Sequence, residues 1–242
     1  DFSKSVFKPH PEAQNPVLTA TDVTDYGNVD YVADPFLFQG PNGRWHLFFE
    51  VFNGNRTPTA AIGHATLRVG GWSYDRIVLN PETHLSFPYI FEINDEVYML
   101  PDQKRGAEEA VVKLYRARNF PREWAHVATP IEPDYKTGDH VIFRFNGHWW
   151  CFVGHTPPGS LSCYYSEQLE RPDWTPHPQN PVIQNRPSAA RPGGRPLSFD
   201  NRIIVPFQDC SHSYGEGVSF YEVTELNTDQ YEDTCLRKHV LQ

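Results

Sequence analysis

Asp139-His140-Val141-Ile142-Phe143-Arg144-Phe145-Asn146-Gly147-His148-Trp149-Trp150-Cys151-Phe152-Val153-Gly154 reads as two short strands closed by a two-residue turn. Asn146-Gly147 supplies the left-handed backbone that such a hairpin needs, and the flanking β-branched and aromatic residues favour extended chain. The same phrase recurs. Asp34-Pro35-Phe36-Leu37-Phe38, Phe87-Pro88-Tyr89-Ile90-Phe91 and Arg195-Pro196-Leu197-Ser198-Phe199 open alike, and the last residues of the four runs lie 53, 52 and 56 apart. Second strands are expected at Trp45–Glu50, Val97–Asp102, Trp149–Gly154 and Ile204–Asp209, and third strands at Ile62–Thr66, Lys113–Ala117, Cys163–Ser166 and Ser219–Val223. An aromatic opens a fourth run at Trp72, Trp124, Trp174 and Tyr231. Four strands in each unit of about fifty residues is the arithmetic of a β-propeller blade. A β-sandwich gives no reason for such a repeat.

The fold expected is therefore all-β, a single propeller domain over 1–242, with repeat units near 32–82, 85–132, 137–182 and 193–235. Residues 1–20 and 236–242 are expected to close the ring, the run Phe7–Val17 adding an outer strand. Two blade counts stay open: four blades with an extra strand, or five with the fifth incomplete. Pro35, Pro88 and Pro196 stand second in their expected strands, where a ladder is only beginning and a missing N–H is tolerated.

Composition agrees with a folded chain. Of 242 residues, 39% are apolar, 14% aromatic and 21% charged, and 22 prolines with 16 glycines argue against a helical protein. No run approaches the eighteen apolar residues of a membrane-spanning helix. A formal charge of −9 disfavours a broad nucleic-acid surface and suits a neutral or cationic ligand. The four cysteines lack metal-ligand spacing and read as buried thiols, although Cys151 and Cys163 fall on neighbouring expected strands. The chain starts at Asp1 without an apolar leader and reads as a mature or trimmed product; the sequon Asn55-Arg56-Thr57 leans toward a secreted or lumenal setting. No glycine motif cradles a phosphate, so no organic cofactor is expected, while a structural ion on the propeller axis stays compatible with the reading.

Hairpin register gathers acids on one rim. Starts of first strands and ends of second strands share it, which collects Asp34, Glu50, Asp102, Asp139, Asp209 and Arg195, with His140 following Asp139. A four-residue loop Gly40–Gly43 would set Asp34 opposite Phe49, and Phe87 would face Asp102. Paired carboxylates are what glycosyl chemistry needs: one protonates the leaving oxygen while the other serves as base or nucleophile. Asp34 is expected as base or nucleophile, with Asp139 or Glu50 as the acid. Arg191, Arg195 and His140 would orient substrate, Asp102 and Asp209 would line the pocket, and whichever of Trp149 and Trp150 faces outward would offer a sugar platform. The plainer alternative is that rim acids cap turns or bridge blades. Lys104–Glu109 reads as a solvated loop near that rim.

Ala33-Asp34-Pro35-Phe36, His84-Leu85-Ser86-Phe87-Pro88, Tyr98-Met99-Leu100-Pro101, Ala190-Arg191-Pro192-Gly193-Gly194-Arg195 and Gln208-Asp209-Cys210-Ser211 with Tyr214-Gly215 resemble the propeller domain of glucosamine inositolphosphorylceramide transferases and their bacterial relatives. That domain is similar in turn to the five-bladed propellers of invertases, levansucrases and arabinanases. The resemblance implies a first-blade Asp acting as base or nucleophile, which Asp34 matches. The second-blade Asp and later Glu of those enzymes have no counterpart, and Phe87 stands where the former is expected. Two functions follow: a carbohydrate-active enzyme cleaving or transferring a glycosyl unit, or a non-catalytic glycan-binding or scaffolding module of a larger glycosyltransferase-type protein.

Overall fold

The structure is a computed structural model and describes residues 15–105 and 109–241. Consecutive antiparallel strands form four sheets among the described residues. Blade one is β1 (Tyr31–Gln39), β2 (Trp45–Phe52), β3 (Ala60–Arg68) and β4 (Gly71–Leu79). Blade two is β5 (His84–Ile93), β6 (Glu96–Arg105), β8 (Val112–Asn119) and β9 (Glu123–Ile131), with the short β7 (Glu109–Ala110) beside β6. Blade three is β10 (Thr137–Phe145), β11 (His148–His155), β12 (Leu161–Ser166) and β13 (Thr175–Pro176). Blade four joins β14 (Arg191–Pro192) and β15 (Leu197–Phe199), both paired with β16 (Arg202–Asp209), to β17 (Gly217–Leu226) and β18 (Tyr231–Leu241). The fold is an all-β propeller of four-stranded blades. The chain divides into two compact units, one built on Pro9–Thr129 with the first two blades and one on Pro130–Gln242 with the last two.

First strands differ from expectation in an informative way. They begin about three residues earlier, and the register shifts inside them, between Ala33 and Phe36, Ser86 and Tyr89, and Thr137 and His140. Each shift holds one residue in the left-handed region: Asp34 at φ 49°, Phe87 at 45° and Asp139 at 54°. Aspartate tolerates this region comparatively well, whereas an aromatic there is strained. Pro35 and Pro88 thus lie mid-strand yet remain harmless, because a bulge breaks the ladder where their N–H is missing. The bulge also moves Asp102 opposite Ser86 rather than Phe87. In blade four the break widens, Gly193 to Pro196 separating β14 from β15, so the strand expected at Arg195 starts at Leu197. The first hairpin is tighter than expected, since Gly40 N–H donates to the Arg44 carbonyl at 2.8 Å.

Of the N-terminal strand expected over Phe7–Val17, only Asn15 to Val17 fall within the described residues, and none is in a strand. Residues 236–241 belong to β18, the outermost strand of blade four. Lys104 and Arg105 extend β6 and Glu109 opens β7, which pairs with it, so both ends of the expected loop are strand; residues 106–108 lie outside the described set.

Second strands are buried on both faces, which is why Trp45–Phe52 lacks a polar/apolar alternation. Phe48 packs with Phe38, Ile62, Ile90 and Met99 between blades one and two, while Leu47, Phe49 and Val51 join Val23, Tyr26 and Ala61 on the opposite face. Cys151 and Cys163 are buried as expected, but Cys210 is half-buried and Cys235 exposed; all four are free. Cys151 pairs with Tyr164 and Cys163 with Phe152, so their side chains leave opposite faces of the sheet and cannot meet.

One polar chain crosses the apolar layer of the first unit. Arg122 donates to both oxygens of Asp75, at 2.9 and 3.0 Å, and His64 Nδ1 approaches Asp75 at 3.3 Å. His64 Nε2 lies 2.9 Å from His46 Nδ1. A carboxylate only accepts, so His64 must donate from Nδ1 and accept from His46 at Nε2; both rings are then neutral. Burial, and next the neighbouring His46, push the pKa of His64 down to about 4 despite Asp75, and burial lowers that of His46 too. A folded value below the ordinary 6.5 means that the unfolded chain binds more protons in between, so stability falls as pH drops through this window. Urea unfolding at pH 7 and pH 4 is expected to differ by up to about 3 kcal/mol on this account. His64→Gln, which can donate and accept without titrating, should flatten the dependence; an unchanged slope would refute the assignment.

Candidate functional site

In the first unit the ends of β1 and β2 gather the acids. Ala33 pairs with Glu50 and Tyr31 with Phe52, and Asp34 occupies the bulge next to Ala33. The Phe87 N–H donates to Asp34 Oδ2 at 3.1 Å, so the left-handed residue of blade one is tied to that of blade two. Glu50, 6% exposed, lies 3.6 Å from His84 Nε2, and His84 Nδ1 is 2.9 Å from the Thr59 hydroxyl. With Nε2 protonated toward the carboxylate, Nδ1 accepts from Thr59 and a neutral imidazole satisfies both. Tyr31 stacks on Phe52 at 4.6 Å yet stays 46% exposed. Burial, followed by the charges of Glu50, Asp34 and Asp30, raises the Tyr31 hydroxyl above its ordinary pKa. Asp102 is buried opposite Ser86.

The second unit has a different rim. Arg191 Nε donates to Asp139 Oδ2 at 2.8 Å, and Gln208 Nε2 donates to the same oxygen at 2.5 Å and to the Pro192 carbonyl at 2.9 Å. Arg191 and Asp139 are both buried. The guanidinium lies across Gly138, where an added Cβ would stand 2.4 Å from Nη1, so glycine makes room for the ion pair. Tyr214 places its ring 5.0 Å from the same guanidinium and is 70% exposed. Asp209 accepts the Ser211 N–H at 2.9 Å and approaches His239 at 3.5 Å; burial opposes its ionisation, but the bonds from Ser211 and the histidine charges leave its carboxyl below the usual range. Its role is to cap the loop after β16.

The family described as "Glucosamine inositolphosphorylceramide transferase 1, N-terminal" matches residues 6–240. The chain belongs to this family. Among curated relatives, the glucosamine inositolphosphorylceramide transferase 1 of Oryza sativa subsp. japonica is 35% identical over 230 residues and that of Arabidopsis thaliana 32%, each alignment covering 90% of the chain. The chain spans about 30% of the length of these relatives. Similar solved structures include the Cellvibrio cellulosa α-L-arabinanase, at 12% identity and a TM-score of 0.60 over 84% of this chain and 77% of that one. A family 117 glycoside hydrolase of Zobellia galactanivorans gives 15% identity and a TM-score of 0.61 over 89% and 73%. These likenesses establish the glycosidase-propeller fold.

Within this fold, the expected site residues sort by unit. Asp34, Glu50 and Asp102 share the rim of the first; Asp139, Arg191 and Asp209 share that of the second. His140 is fully buried in the β10–β11 ladder opposite Val153, and Arg195 is half-buried in the gap between β14 and β15. Trp149 and Trp150 are 7% and 1% exposed, so the platform expected of the outward one is covered: both faces of β11 are packed. Tyr31, His84, Gln208 and Tyr214 were not among the expected site residues. Hairpin register would have found Tyr31, which stands three residues before Asp34 on the same strand; Gln208 and Tyr214 stand in stretches that carry the family resemblance, but nothing local gives them a role.

Arg191→Ala strands a buried carboxylate and should lower stability by about 3–5 kcal/mol. Arg191→Met with Asp139→Asn, which removes both charges, should cost less than the two single changes together in urea denaturation. Simple additivity would deny the coupling.

Proposed function

We propose that this domain acts on carbohydrate at the rim of its first unit, cleaving or transferring a glycosyl group with Asp34 as base or nucleophile and Glu50 as the acid. The observation that carries the reading is the lodging of Asp34 in a left-handed bulge beside the Ala33–Glu50 pair, with half-exposed Tyr31 alongside. A backbone N–H held against Asp34 favours its ionised form. Glu50 is nearly enclosed, and it can hold the proton when His84 takes the other tautomer, accepting at Nε2 and donating from Nδ1 to the Thr59 hydroxyl. Tyr31 offers an apolar ring face and a polar tip at the mouth of this group, as sugar pockets commonly do. Asp139, already neutralised by Arg191, serves as an anchor in this scheme, not as the acid. The relatives' name joins an amino sugar to an inositol-phosphate lipid, so the substrate class proposed here is a glycoconjugate headgroup or its sugar donor.

A second reading is a glycan-binding module without turnover. It is favoured by one fact: the chain matches the N-terminal part, about 30%, of its curated relatives. Product analysis on a panel of furanosides, pyranosides and amino-sugar conjugates separates the two. Asp34→Asn and Glu50→Gln should each lower turnover by about 100-fold or more while leaving thermal unfolding unchanged. Binding without turnover in the unaltered chain would select the module.

A further inference from the structure

The loop Cys210–Glu216 after β16 carries an exposed aromatic. Tyr214 is 70% exposed, and the guanidinium beside its ring belongs to Arg191, which is locked by Asp139 and seated over Gly138. The ring therefore rests on a guanidinium held in place by a carboxylate. The loop itself is pinned at both ends: Ser211 N–H to Asp209 Oδ1 at 2.9 Å, Glu216 N–H to the Asp209 carbonyl at 2.9 Å, and His212 to Glu216 at 2.9 Å. Gly215 adopts φ 64°, and a Cβ there would stand 3.6 Å from Gln208 Oε1. Both amide hydrogens of Gln208 are committed, to Asp139 and to the Pro192 carbonyl, which fixes its Oε1 on the side of the Tyr214 loop as an acceptor. A preordered aromatic with a fixed acceptor next to it costs little entropy to engage.

We infer that Tyr214 and Gln208 Oε1 form a sugar-binding subsite in the second unit, the ring stacking on the C–H face of a neutral saccharide and the amide oxygen accepting one hydroxyl. Arg191 is paired with Asp139 beneath the ring, and an exposed aromatic face with one amide acceptor beside it suits the C–H face and hydroxyls of an uncharged sugar ring. The inference rests on the carbohydrate reading above but uses residues apart from Asp34 and Glu50.

The test measures saturation-transfer NMR and titration calorimetry on the full chain with methyl glycosides of glucose, mannose, arabinose and N-acetylglucosamine. Tyr214→Ala should weaken the best-bound glycoside about tenfold, a loss within the range of aromatic stacking plus its area, while Tyr214→Trp retains binding. Thermal unfolding should not move for either, since the side chain is mostly in solvent. If wild type binds a glycoside and Tyr214→Ala binds it equally, the subsite is overturned and the carbohydrate reading stands. If Asp34→Asn leaves binding intact while Tyr214→Ala abolishes it, the subsite stands alone. Wild type binding none of the four, with no turnover on any panel substrate, overturns both.

Discussion

A single backbone constraint shapes both rims: the innermost strand of a blade must leave its ladder before reaching the rim, and in three blades it does so through one left-handed residue. Asp34, Phe87 and Asp139 each occupy that position. Such a conformation costs about 1–3 kcal/mol per residue and persists only where its surroundings over-determine it. The restraints are visible. Asp34 is held by the Phe87 amide, and Asp139 by Arg191 and Gln208. In blade four, which has no acid at this point, two glycines and a wider gap replace the single strained residue.

The same bulge yields opposite electrostatics in the two units. Asp34 accepts a backbone amide, and the neighbouring Glu50 faces a histidine. Around Asp139 a buried arginine and a side-chain amide consume the acceptor, and the carboxylate becomes a fastening. Homologous positions in a repeat therefore need not share a role. What separates them is the neighbour: Phe87 and its amide follow Asp34 in the next blade, whereas Arg191 follows Asp139.

The core accepts polar groups by the same rule of complete accounting. His46, His64, Asp75 and Arg122 run as a directed relay that ends at His46 Nε2, a buried atom without a hydrogen bond among the described residues. That nitrogen packs near Gly40 and the ring of Phe120, and a Cβ on Gly40 would sit 2.9 Å from both. Neutral imidazoles make this tolerable in an apolar layer, and protonation removes the tolerance.

Much of the architecture was legible in the order of residues. Turn pairs such as Asn146-Gly147, the recurrence of Phe38, Phe91, Phe143 and Phe199, and the aromatics opening the fourth strands are local signals, and local periodicity is what specifies strands and hairpins. Asp34, Glu50 and Asp102 could be set on a common rim because hairpin register counts from the turn. The bulges could not be read this way, since a two-for-one mismatch leaves composition and alternation almost unchanged; hence Phe87 was paired with Asp102 where Ser86 is. Nor could sequence tell that Asp139 is spent on Arg191, 52 residues away, or that Tyr214 rests over the same guanidinium. Those contacts join separate strands and loops, and their energetics depend on burial and a partner's charge, quantities that exist only once the blades have packed.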